Sequence, residues 1–86
     1  MKVGFHGNVL EYTLGEKFFE TESSCSVRSL IDLLGERFGG QFRDFLLADK
    51  TCFFLVNGSG ILLTGGLNTP LRDGDKVDVL PFADAG

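Results

Sequence analysis

A chain of 86 residues, 43% apolar and 23% charged, is enough for one hydrophobic core but not two, and this balance excludes a disordered chain. The net charge of −4, with no cluster of Lys or Arg, argues against a nucleic acid or an anionic membrane as partner, because both are held through cations. The apolar run Phe53-Phe54-Leu55-Val56, five residues with Cys52 before it, is far short of a membrane span, and Met1-Lys2-Val3-Gly4-Phe5-His6 lacks a signal-peptide apolar region, so a cytoplasmic protein is expected.

In chain order, residues 2–6 read as a first strand with Val3 and Phe5 on one face. Residues 7–15 are bounded by glycines and read as an irregular connection or a single helical turn. Residues 17–22 alternate weakly and predict an edge strand paired with the first. After the polar break Ser23-Ser24-Cys25-Ser26, Val27, Leu30, Ile31, Leu34 and Phe38 form one apolar stripe at helical spacing. Ser26 is placed to cap that helix and Gly39-Gly40 to end it. Residues 41–48 predict a shorter helix or turn that brings Phe42, Phe45 and Leu46 to the same core. Residues 52–56 are apolar on both faces, as in an internal strand covered on each side. The helices cover one side, which leaves the other to a further layer or to another protein. Asn57-Gly58 signals a tight turn, Ile61-Leu62-Leu63-Thr64 a short strand between glycine loops, Asp73-Gly74 another turn, and residues 76–82 the last strand. The expected order is strand, strand, helix, short helix, strand, short strand, strand.

No set of residues suggests an internal active site. Cys25, Cys52 and His6 supply three metal ligands where a tetrahedral site needs about four, so no metal is expected. Cys52 reads as a small core hydrophobe and Cys25 as a loop thiol, and a Cys25–His6 pair has no support from spacing. The glycines of residues 58–66 lack the Gly-Lys-Ser/Thr ending and the following helix of a phosphate cradle, and read as turn glycines. Glu20/Glu22 and Asp73/Asp75 fall on a strand face and a turn, where solvation explains them.

The C-terminal segment is more informative. The strand Lys76-Val77-Asp78-Val79-Leu80-Pro81 runs straight into Phe82-Ala83-Asp84-Ala85-Gly86, and a terminal glycine leaves its carboxylate uncrowded and its backbone free to follow a narrow channel. A frayed terminus of small residues is the competing explanation. The element order, the strand end Leu55-Val56-Asn57-Gly58, the segment Thr69-Pro70-Leu71-Arg72-Asp73-Gly74-Asp75-Lys76-Val77 and the closing Val79-Leu80-Pro81 together resemble the ThiS/MoaD family of prokaryotic sulfur carriers. By length the likeness is closer to the MoaD branch, the small subunits of molybdopterin synthase. It implies an α+β, ubiquitin-like β-grasp, with a mixed sheet of four to five strands packed on one main helix and a short helix. Residues 1–86 would be one domain, and 83–86 its flexible tail.

The resemblance further implies a protein co-substrate with no cofactor of its own. A ubiquitin-activating-type enzyme would use ATP to adenylate the Gly86 carboxylate, which is then converted to a thiocarboxylate. The sulfur would pass to a synthase, of the molybdopterin large-subunit type or the thiazole type. Ala83, Asp84 and Ala85 would line the partner's channel, and apolar sheet residues such as Phe5, Phe54 or Phe82 would dock it. The tail departs from the family's pattern: Phe82 stands for the second proline, Asp84 adds a charge, and Ala85 replaces the penultimate glycine. A methyl at Ala85 restricts φ, and Asp84 needs a basic partner when desolvated. The alternative is a ubiquitin-like interaction or regulatory module with an unreactive tail.

Overall fold

The structure is a computed structural model that describes residues 1–22, 26–48 and 51–82. The Cys25 loop thiol and the tail residues Ala83, Asp84, Ala85 and Gly86 lie outside the described residues. Five strands, β1 (Lys2–Phe5), β2 (Phe18–Glu20), β3 (Cys52–Val56), β4 (Ser59–Gly60) and β5 (Lys76–Pro81), form one mixed sheet in the order β2-β1-β5-β3-β4. β5 lies in the middle, parallel to β1 and antiparallel to β3. With α1 (Val27–Phe38) and α2 (Gly40–Leu47) this is the β-grasp arrangement.

The helix stripe folds as its spacing dictates: Val27, Leu30, Ile31 and Leu34 are buried, and Phe38 packs against them half-exposed. Ser26 caps α1, its Oγ accepting the Ser29 N–H at 3.2 Å. Gly39, at φ 115°, makes the sharp corner from α1 into α2 that a side chain would resist. That corner brings Arg43 across Gly35, where a Cβ would lie 2.8 Å from the Arg43 Cβ, and Arg43 Nε donates to Asp32 Oδ1 at 2.9 Å. Phe42 is fully buried and meets Phe5 and Phe38 edge to face, with centroids 5.9 and 5.8 Å away. Tyr12 stacks on Phe45 at 4.6 Å, so the connection after β1 lies against α2.

Two sequence expectations are corrected. The second strand shortens to three residues. The segment around Ile61-Leu62-Leu63 is not a strand: only Ser59–Gly60 pairs with β3, and Ile61–Leu63 and Gly66–Asn68 are 3₁₀ turns. Gly65 (φ 123°) and Gly66 (φ 60°) sit in backbone conformations incompatible with continuing a ladder.

The segment from Thr69 to Val77 acts as a clamp. The Thr69 carbonyl accepts the first amide of α1, from Val27, at 3.1 Å, and Thr69 Oγ1 donates to the Gly66 carbonyl at 2.7 Å. Leu71 is buried. Asp75 accepts from Asn57 Nδ2 at 3.0 Å and from the Arg72 amide at 2.8 Å, while Asn57 Oδ1 accepts the Lys76 amide at 2.9 Å. This exchange ties the β3–β4 turn, with Asn57 at φ 52° and Gly58 at φ 87°, to the start of β5.

The Asn57 amide, and next the Arg72 amide, hold the Asp75 carboxyl below its usual range. A carboxyl depressed in the folded state stabilises the fold above its unfolded-state value, and that contribution is lost as pH falls through the folded value. Thermal melting across an acid series is therefore expected to show wild type above Asp75→Asn at neutral pH, with the gap closing below about pH 4. A gap constant across the series would contradict this role.

Candidate functional site: the outer sheet face and the base of the tail

β5 alternates strictly. Val77, Val79 and Pro81 are buried under the helices, while Lys76, Asp78 and Leu80 lie on the other face of the sheet. The register carries this to the neighbours: Phe54 pairs with Val79 on the inner face, and Phe53 with Leu80 on the outer one. Phe5 pairs with Val79 from the other side. Phe5 and Phe54 are each 3% exposed and belong to the core, so neither can dock a partner. Strand alternation tells which residues share a face but not which face is covered, and register against β5 puts both rings inside. Phe82 differs, being 51% exposed. Its ring meets Phe53 edge to face with centroids 6.4 Å apart, and its N–H donates to the Thr51 carbonyl at 3.0 Å. Phe82 is thus the last described residue and is held to the sheet by its backbone. The predicted tail positions Ala83, Asp84, Ala85 and Gly86 lie beyond it, outside the described residues.

The outer face divides along β5. Towards the tail it is apolar, with Phe53, Leu55 and Leu80 half-exposed beside Phe82. Towards the other end it is charged, with Lys2 beside Lys76 across the parallel ladder. Between the two halves, His6 Nε2 lies 2.9 Å from Asp78 Oδ1, and Lys76 Nζ lies 4.0 Å from the same oxygen. Gly4 makes room for this pair, since a Cβ there would stand 2.8 Å from Asp78 Oδ1. His6 therefore serves a carboxylate on the sheet surface, with no nucleophile in that pairing.

Burial pushes the Cys52 thiol up, against a smaller lowering by its hydrogen bond with Thr51, which leaves it a poor nucleophile. Among the described residues, no group of three or more His, Cys, Asp or Glu side chains is placed to hold a metal ion, and no helix is long and apolar enough to cross a membrane. The surface residues that sequence reasoning missed are Phe53, Leu55 and Leu80. The β5 alternation was the signal for them: with Val77 and Val79 inside, Leu80 has to face out, and its cross-strand neighbour Phe53 with it.

The platform is shared with known proteins. A model of the ThiS family matches residues 3–84. The chain belongs to the ThiS family. Among solved structures, a chain of the Amycolatopsis orientalis BexX/CysO complex is 26% identical, with 93% of this chain and 92% of that one covered and a TM-score of 0.78. CysO from Mycobacterium tuberculosis is 24% identical over 93% of this chain and 96% of its own, at a TM-score of 0.81. Urm1 from Trypanosoma brucei shares the fold at 20% identity and a TM-score of 0.77, with 93% and 88% covered. No curated protein matches the chain. ThiS-family membership supports a ubiquitin-like sulfur carrier, and these neighbours share its fold.

The two faces predict opposite outcomes for two phenylalanines. Phe54→Ala is expected to cost about 3–5 kcal/mol in urea unfolding, as a buried ring leaves a cavity. Phe82→Ala should cost within about 1 kcal/mol, because half of its ring already faces water. Equal losses at the two positions would refute this assignment of faces.

Proposed function

We propose that this ThiS-family protein carries sulfur on its C-terminal Gly86. A ubiquitin-activating-type enzyme adenylates the Gly86 carboxylate with ATP and releases pyrophosphate, a sulfide-level sulfur of the donor displaces AMP to give a thiocarboxylate, and a synthase of cofactor biosynthesis takes that sulfur as hydrolysis restores the carboxylate. The molybdopterin or tungstopterin type of synthase is the favoured recipient, and a thiazole synthase is the other. The chain is then a co-substrate, and the chemistry belongs to its partners.

The observation that carries this proposal is the course of β5. The strand is central to the sheet, hydrogen-bonded on both sides, and ends at Pro81, so the chain leaves the platform at Phe82, whose N–H is held by the Thr51 carbonyl. An acyl-adenylate forms only where the carboxylate reaches an enclosed ATP site, and a rigid strand followed by small residues presents it for that purpose. The apolar half of the outer face, Phe53, Leu55, Leu80 and Phe82, supplies the surface on which an activating enzyme seats. The similar chain in the BexX/CysO complex supports a carrier that works while bound to another protein.

Incubation with the activating enzyme, ATP and a sulfur donor should raise the intact mass by the replacement of one oxygen by sulfur, with the added mass located at Gly86. Deleting Ala85 and Gly86 should abolish that gain, and Ala85→Gly should speed it, because the methyl group is removed where the channel is narrow. An interaction module would show no mass gain with the enzyme and would keep its partner binding after the deletion.

A further inference from the structure

Resting on the carrier function proposed above, we infer that the enzyme activating this carrier grips it at a second place, an apolar groove beside the tail base, by inserting an apolar side chain of its own. The groove has a volume of about 350 Å³ and lies between the C-terminal end of α2, the start of β3 and the Ile61–Leu63 turn. Leu47, Phe53, Leu62, Leu67 and Phe82 line it. Leu62 is 91% exposed and Leu63, next to it, 89%. Two adjacent leucines left almost wholly in water on a short turn contribute nothing to the core, and exposed apolar patches of this kind mark interaction surfaces. The turn is held in place by Ile61, which is buried, and by Thr64, whose N–H and Oγ1 both reach the Ile61 carbonyl. The leucines are therefore presented on a fixed knuckle.

The length of the tail says what covers them. With the reactive carboxylate at Gly86 as proposed, residues 83–86 span at most about 14 Å beyond Phe82 when fully extended. An enzyme that encloses that carboxylate must bring the mouth of its channel within this distance of Phe82. Phe82 is both the tail base and part of the groove wall, and Phe53 is shared by the groove and the outer sheet face. A protein seated on the outer face and swallowing the tail thus overlies the groove as well. A second copy of the chain has no such reason to be there.

The test measures carrier-dependent ATP–pyrophosphate exchange by the ubiquitin-activating-type enzyme of the same organism. The carriers are the unaltered chain, a Leu62→Asp/Leu63→Asp variant and Leu14→Asp. Leu14, 92% exposed on the turn after β1 and absent from the groove lining, controls for the loss of any surface leucine. Because the substituted side chains are almost fully exposed, all three proteins should melt alike. The double variant is expected to raise the KM for carrier by about tenfold, while Leu14→Asp leaves it unchanged. A KM for the double variant equal to that of Leu14→Asp would overturn the groove while leaving the carrier function intact. Self-association of the chain that the double variant abolishes, with KM unchanged, would assign the patch to a second copy and overturn the inference. Absence of any exchange with the unaltered chain would overturn the carrier function and the groove with it.

Discussion

The pairing of the last strand between the first and the third is the constraint on which the structure depends. β5 takes hydrogen bonds from β1 on one side and β3 on the other, and its two faces have opposite chemistry. Sliding β5 by one residue would send Lys76, Asp78 and Leu80 into the core and expose Val77 and Val79, so the register is strongly specified. The Thr69–Asp75 clamp then sets where β5 begins. It binds the first amide of α1 through the Thr69 carbonyl and the β3–β4 turn through Asp75 and Asn57. Once the start and the register of β5 are both set, so is the point at which the chain leaves the sheet. A parallel pairing of the first and last strands also means that the sheet cannot close until nearly the whole chain is present.

Much of this was legible in the residues because local and global preferences agree. The stripe Val27, Leu30, Ile31, Leu34 has one solution, a helix with that face inward, and Ser26 and Gly39 mark its ends. The β5 alternation is equally clear. β3 is different: Cys52, Phe54 and Val56 compete with Phe53 and Leu55, and apolarity alone cannot choose between the two faces. Only the partner register makes the choice, and it placed Phe5 and Phe54 in the core, where the family resemblance had suggested docking residues. Ile61-Leu62-Leu63 misled for a related reason. A short apolar run flanked by glycines suits an edge strand, but the glycine conformations at 65 and 66 turn the chain away before a ladder can extend.

The aromatic content shows the same division of labour. Phe5, Phe38 and Phe42 form one edge-to-face cluster joining sheet to helices, and Phe19 extends it from the edge strand through Phe38. Phe53 and Phe82 form a separate pair on the opposite side. One set holds the platform rigid, and the other remains in part open to water, an arrangement that serves the fold less than it serves a partner.

On the carrier function proposed above, a rigid platform with a short reactive tail separates binding from chemistry. Partner contacts proposed at Leu62, Phe53, Leu80 and Phe82 would be the same before and during attack on ATP, so they would bind ground state and transition state alike and set how readily the carrier is captured. What changes in the proposed reaction is confined to the Gly86 carboxylate and the few residues that position it. The sequence of the tail is demanding in this respect, since Ala85 adds bulk and Asp84 adds a charge beside the reacting group. An enzyme that accepts such a tail has to match Asp84 with a cation or leave it in water. Strong capture at the platform offsets that cost, because binding energy from remote contacts can hold an awkward tail in its channel. The proposed groove thus ties the exposed leucines at 62 and 63 to the departures at 82, 84 and 85. On the proposed reading, a firm grip near the tail base compensates for a tail that fits a narrow channel poorly.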